Sequence, residues 1–204
     1  SLKWTKFVPA SGLASRMFTP LFSYLKAKRQ SNFNFSDYLE SEHGNETRRL
    51  IKEIKKLPFY GIIKRLIYLN EKLNFQTEEE FFNAFTNKII QKKGLNYPSL
   101  PKGLIPFFTD NSDKYWTAFE AQLMEALKLG NRNTTVHLHF TIAKEHRVLF
   151  DSAEKYFRNE ISKDQNEQLI IEYSYQDRLT DTPSFDSKNN WIRNSLGDIT
   201  FRKG

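Results

Sequence analysis

In the stretch "RRLIKEIKKL", Leu50, Ile51, Ile54 and Leu57 recur at helical spacing, while Arg48, Arg49, Lys52, Lys55 and Lys56 fill the positions between them. That pattern predicts an amphipathic helix with a solvated basic face. Ile62, Ile63, Leu66 and Ile67 repeat the spacing after Pro58 and Gly61 interrupt it, which predicts a second helix. Thr77 with Glu80 forms a capping-box signature ahead of Phe81, Phe82, Phe85, Ile89 and Ile90. A third helix is expected there, its aromatic face serving as core or as an inter-domain contact.

Elsewhere the period shortens. "WTKFVPA", residues 4–10, reads as a short buried strand, and a loop over 11–16 follows it. "TTVHLHFTIA" is a β-branched strand, "KEHRVLFDSAEKYFRNEI" a helix and "QLIIEYSYQ" another strand. Pro98, Pro101, Gly103 and Pro106 make "YPSLPKGLIPFF" an extended, irregular connector. Ser112 is expected to open a helix with the face Trp116, Phe119, Leu123 and Leu127, stopped by Gly130. Strand, helix, strand, helix, strand implies a parallel sheet in an α/β fold, interrupted by an all-helical insertion over residues 18–97.

Composition narrows this to one folded domain. The 204 residues are 39% hydrophobic and 15% aromatic, which suffices for a substantial core and argues against disorder. No apolar run approaches the roughly 18 residues that cross a bilayer, and the N-terminus lacks a signal-peptide pattern, so a cytoplasmic protein without membrane contact is expected. The absence of cysteine excludes disulfides, thiolate metal sites and a Cys nucleophile. A formal charge of +7 points to a phosphate-rich partner, a nucleotide or a nucleic acid. Ser1 stands just before the first strand and "GDITFRKG" has a turn-like character, so the sequence reads as a fragment of a longer chain.

Ligands of open parallel sheets bind at the carboxyl ends of the strands, and three unusual segments are expected there: "SGLASRM", "PKGLIPF" and "YQDRLTDT". Small residues after a strand let backbone amides approach an anion. His137 and His139 share a strand face and lack an evident carboxylate partner, which favours packing over metal binding; His43 lies in a polar turn.

"GLASRM" resembles the G-x-G-T-R-M signature of sugar-phosphate nucleotidylyltransferases, and "PKGLIPF" resembles their P-K-x-L-x-P-[VF] segment. Together with "TAFEAQL", "HFTIAKEH", "YSYQ" and "TDT", these segments resemble, over nearly the whole chain, a bacterial domain-of-unknown-function family, number 4301, itself similar to UDP-sugar pyrophosphorylases. The resemblance implies a Rossmann-like nucleotide-diphospho-sugar transferase sheet. It implies that Ser11, Gly12, Leu13, Ala14 and Ser15 wrap nucleotide phosphates and that Arg16 reaches the β- and γ-phosphates. Lys102 would hold the α-phosphate or the incoming sugar phosphate. Gln176 either reads the base, favouring uracil, or caps its strand end; Asp181 and Thr182 would shape the sugar side. Magnesium is the expected cofactor, with its Asp ligand beyond residue 204. Ala14 replaces the second Gly of the wider superfamily, and its methyl crowds the place where backbone meets phosphate.

The reaction so implied joins a sugar 1-phosphate to a nucleoside triphosphate, UTP foremost, and releases pyrophosphate. Such in-line displacement needs two positioned anions and cations to neutralise charge, a task suited to an Arg fork and a Lys point charge. Two rivals remain: a basic α/β module for nucleic acid, against which the solvated-face reading of the Lys/Arg helix counts, and a catalytically dead nucleotide-binding relative.

Overall fold

The computed structural model describes residues 5–70, 75–110, 114–130 and 134–202. Trp4 of the expected first strand and Ser112, the expected helix start, lie outside the described residues. In chain order the elements are β1 (Thr5–Pro9), α1 (Thr19–Lys28), α2 (Phe35–Glu40), α3 (Asn45–Glu53), α4 (Tyr60–Asn70), α5 (Glu78–Ile90), β2 (Pro106–Thr109), β3 (Tyr115–Thr117), α6 (Ala118–Leu129), β4 (Val136–Ile142), α7 (Arg147–Glu160), α8 (Lys163–Gln168), β5 (Leu169–Tyr175), β6 (Thr182–Pro183) and β7 (Phe201–Arg202). The chain is thus α/β, and it divides into two units. Among the described residues no helix is long and apolar enough to cross a membrane.

The sheet unit comprises Ser1–Gly12, Pro101–Leu104 and Phe119–Gly204. Its three strands are parallel in the order β1-β4-β5, with Phe7 opposite His139 and Phe140 opposite Tyr173. Strict alternation in "VHLHFTI" sends Val136, Leu138, Phe140 and Ile142 to a fully buried face. Phe119 of α6 meets Phe140 at 4.8 Å between ring centroids, and Phe150 of α7 meets Phe119 at 5.4 Å, so both helices cover that one face. Beyond β5 the chain forms a small antiparallel meander, β6 on β7 with bridges at Phe185/Trp191 and Arg193/Ile199, which the strand patterns did not foretell.

The helical unit comprises Leu13–Leu100 and Ile105–Ala118. α1 to α5 enclose an aromatic-rich core of Phe18, Tyr24, Tyr38, Phe59, Phe82, Phe85 and Tyr97 with aliphatic neighbours. The Phe cluster of α5 is therefore core. Its N-terminus is capped as expected by Thr77 Oγ1, which accepts from Glu80 N–H, but Glu80 reaches back to Gln76 N–H instead of closing the box on Thr77. Along α3 and the 3-10 turn Ile54–Lys56 that follows it, the apolar stripe packs inward while Arg48 pairs with Glu40 at 2.9 Å and Lys56 with Glu53 at 2.5 Å, so the basic residues form a solvated, partly paired face.

Four local expectations change. β1 is a strand but not a buried one: its residues are exposed or half-buried, Phe7 most of all, because it stands at the end of the strand order with a partner on one side only among the described residues. Residues 115–117 are strand, Trp116 pairing with Phe108 and donating its indole N–H to Asp110 Oδ2 at 2.8 Å; helix begins only at Ala118. Aromatic and β-branched "YWT" suits a pleated pair better than a first helical turn. Gly61 does not interrupt a helix: it is the second residue of α4, and a Cβ there would meet Tyr115 Oη at 2.5 Å. The proline-rich connector is not wholly extended, because Tyr97–Ser99 and Lys102–Leu104 form 3-10 turns.

Candidate site at the carboxyl rim of the sheet

Parallel strands all end on one side, and two backbone hydrogen bonds carry the ladders just past them: Ala10 N–H donates to Thr141 O and Gln176 N–H to Ile142 O, at 2.8 and 2.9 Å. The segments leaving β1, β4 and β5 therefore begin at one rim, as ligand sites of open α/β sheets require. They are Ser11–Gly12, the 3-10 turn Lys144–His146 that leads into α7, and Gln176–Asp181.

Lys102 joins them through its backbone. Its N–H donates to Gly12 O at 2.9 Å, which fastens the "PKGL" turn to the end of the first loop, and that turn also packs beside α7. The Lys102 side chain is exposed and makes no ion pair among the described residues. At Gly12 a Cβ would meet nothing within 4 Å, so its backbone faces open space, whereas Ser11 is buried.

Gln176 is half-buried and anchored at both ends. Besides its backbone bond to Ile142, its Nε2 donates to Asp181 Oδ1 at 3.2 Å, and its Oε1 is buried without a partner. Thr182 is exposed and lies in β6, opposite Arg202. His146, which sequence reasoning did not single out, stands at this rim too, just ahead of α7, and its Nδ1 is likewise buried and unpartnered. Its signal was in the sequence: a His four residues past the end of β4, in "IAKEH", on the side where ligands bind.

The helical unit carries the rest of the first loop. Ser15–Phe18 is a 3-10 turn running into α1, with Ser15 and Arg16 exposed and Leu13 at the surface. Arg16 makes no ion pair among the described residues; its carbonyl accepts from Thr19 Oγ1 at 2.9 Å. Ala14 is fully buried in the helical core, and its N–H donates to Leu100 O at 3.0 Å. That amide is already used, and the Ala14 methyl is a packing group.

The other histidines stand apart. His137 and His139 are on the face of β4 opposite Phe140. A carboxylate does approach: Glu172 Oε2 lies 3.8 Å from His139 Nδ1, with the Phe7 ring on its other neighbour strand at 5.2 Å. His43 is exposed in the 3-10 turn Glu42–Gly44. Among the described residues no three His, Asp or Glu converge as a metal site.

The family described as "Domain of unknown function (DUF4301)" matches over residues 1–204, and the chain belongs to that family. No curated protein and no solved structure matches it significantly.

Proposed function

We propose that this member of the DUF4301 family is a nucleotidyltransferase that joins a sugar 1-phosphate to a nucleoside triphosphate, UTP foremost, on a Rossmann-like sheet of the nucleotide-diphospho-sugar transferase type, with residues 18–97 as a helical insertion. One observation supports this most: the bond from Lys102 N–H to Gly12 O puts two motifs from distant parts of the chain at one strand-end rim. In the reaction a phosphate oxygen of the sugar phosphate attacks the α-phosphorus. The bond from that phosphorus to the bridging oxygen breaks, and pyrophosphate leaves with the electron pair. The nucleophile is already anionic, so no base is required; the protein aligns two anions and offsets their charge.

In this reading the backbone at Ser11 and Gly12 approaches the phosphates, and Lys102 supplies a mobile ammonium at the α-phosphate or sugar phosphate. Gln176 meets the base and Thr182 the sugar side. Arg16, Leu13 and Ser15 enter through the sequence motif alone. Magnesium would bridge phosphate oxygens in such chemistry. The described rim does not form a site for it, because Asp181 accepts from Gln176, Asp177 Oδ1 accepts from Leu179 N–H, and no further carboxylates converge.

Titrating the full-length protein with UTP and magnesium is expected to raise its melting temperature, and Lys102→Ala to abolish the rise. A melting curve unchanged by every nucleoside triphosphate contradicts the reading. The packed methyl and engaged amide of Ala14 favour a variant of it, nucleotide binding without turnover. Pyrophosphate release on adding sugar 1-phosphates separates the two.

A further inference from the structure

Gln176 carries a detail that the nucleotide reading does not by itself contain. A primary amide has a donor end and an acceptor end, and rotating it by half a turn exchanges them with little change in shape. Here the rotation is decided by Asp181. A carboxylate only accepts, so Asp181 Oδ1 holds the Nε2 end at 3.2 Å and turns Oε1 the other way. The backbone cannot shift to compensate, since Gln176 N–H is bonded to Ile142 O at the end of β5. The result is a carbonyl oxygen, buried and without a partner, fixed at a strand end. Buried acceptors of this kind carry a desolvation cost until a donor arrives.

Resting on the nucleotidyltransferase reading, we propose that Asp181 is a positioning residue for base selection: it locks the Gln176 amide so that Oε1 accepts from a ring N–H on the pairing edge of the base. Uracil presents such an N–H at N3. Cytosine presents a bare ring nitrogen at the same place, and two acceptors would face one another. Asp181 thereby moves from the sugar side, where the sequence resemblance put it, to the base side. Its effect is on specificity and not on the grip of the phosphates.

UTP and CTP share their ribose and triphosphate and differ along this one edge, which makes them the test pair. Calorimetric titration of the full-length protein is expected to give UTP at least about tenfold tighter binding than CTP, the range of a single well-formed base contact. In Asp181→Asn the new amide can donate to Gln176 Oε1 as readily as accept from Nε2, so both rotations become available. The UTP preference should then fall to within about twofold, while inorganic tripolyphosphate, which has no base, binds as before. Asp181→Glu, which keeps an acceptor-only partner, should retain at least part of the preference. The inference is overturned if Asp181→Asn keeps the full preference, or if it weakens UTP, CTP and tripolyphosphate alike, as a merely structural residue would. In both cases the nucleotide reading survives. Should neither nucleotide nor tripolyphosphate bind the unaltered protein, the reading itself falls and the inference with it.

Discussion

In the helical unit, polar groups that reach the core are mostly answered within it. Tyr38 Oη and Thr47 Oγ1 lie 2.9 Å apart, and Thr47 Oγ1 donates to Pro20 O at 3.1 Å; Lys28 bonds both Tyr24 Oη and Glu79. Among the described residues of that unit, Thr86 Oγ1 is buried without a partner. In the sheet unit, packing on the Phe140 face is equally tight, but at the strand ends His146 Nδ1 and Gln176 Oε1 are left unanswered and the ammonium of Lys102 is unpaired among the described residues. Close packing and free chemistry exclude one another: a group that can meet a ligand is one that the fold has not already used.

The largest effect expected from this contrast is in the helical core. Phe82 is buried and stacks edge-on against Tyr24 at 5.0 Å, so Phe82→Ala should lower the stability of the full-length protein by about 3 to 5 kcal/mol in urea unfolding. Lys102→Ala should do the reverse, leaving unfolding unchanged and slowing turnover by roughly 100- to 1,000-fold, or about 3 to 4 kcal/mol of barrier. If Lys102→Ala instead destabilises the fold, the rim is structural and the contrast fails.

Alkaline pH probes the helical core more gently. Burial pushes the Tyr97 phenol from its ordinary value of 10 up to about 12. Because the folded value is the higher one, its contribution to stability is intact below pH 10 and is lost as the pH rises through about 12, a decline on the order of 3 kcal/mol. Unfolding curves across that range, with tyrosinate absorbance followed in parallel, should show the loss, and Tyr97→Phe should remove its share. The smallest effect is at Gly12, where a Cβ has room: Gly12→Ala should keep stability within about 0.5 kcal/mol while weakening triphosphate binding.

In both units the sequence disclosed the long elements better than the short ones. β1 followed from its β-branched and aromatic residues although none of them is buried, whereas β4, α7 and β5 followed from alternation and helical spacing, because each turns one clear face to its neighbours. α3, α4 and α5 were legible for the same reason. The start of α6 was not. Trp116 continues the apolar spacing of Phe119 and Leu123, and only its pairing with Phe108, a contact between strands, makes it strand. Nor could periodicity foretell the short 3-10 turns, which rest on local hydrogen bonds such as Leu104 N–H to Pro101 O. At the rim, the family resemblance singled out Ser11, Gly12, Lys102 and Gln176; parallel-sheet geometry explains why the segments of Ser11, Gly12 and Gln176 start on one side, and a backbone bond to Gly12 brings Lys102 to them. The Gln176–Asp181 bond and the buried Nδ1 of His146 stayed hidden, since both depend on where a side chain turns after its strand ends. Ala14 read as an intruder in a phosphate loop; its burial in the helical core supplies the reason for a methyl there.

A crystal structure of the full-length protein with a non-hydrolysable UTP analogue puts the central claim to the most direct test. The analogue's phosphates are expected along Ser11 and Gly12 within reach of the Lys102 ammonium, with the uracil edge at Gln176. Analogue bound elsewhere, for example in the polar groove lined by Lys26, Asn34, Asp37 and His43 of the helical unit, with the rim left to solvent, would contradict it.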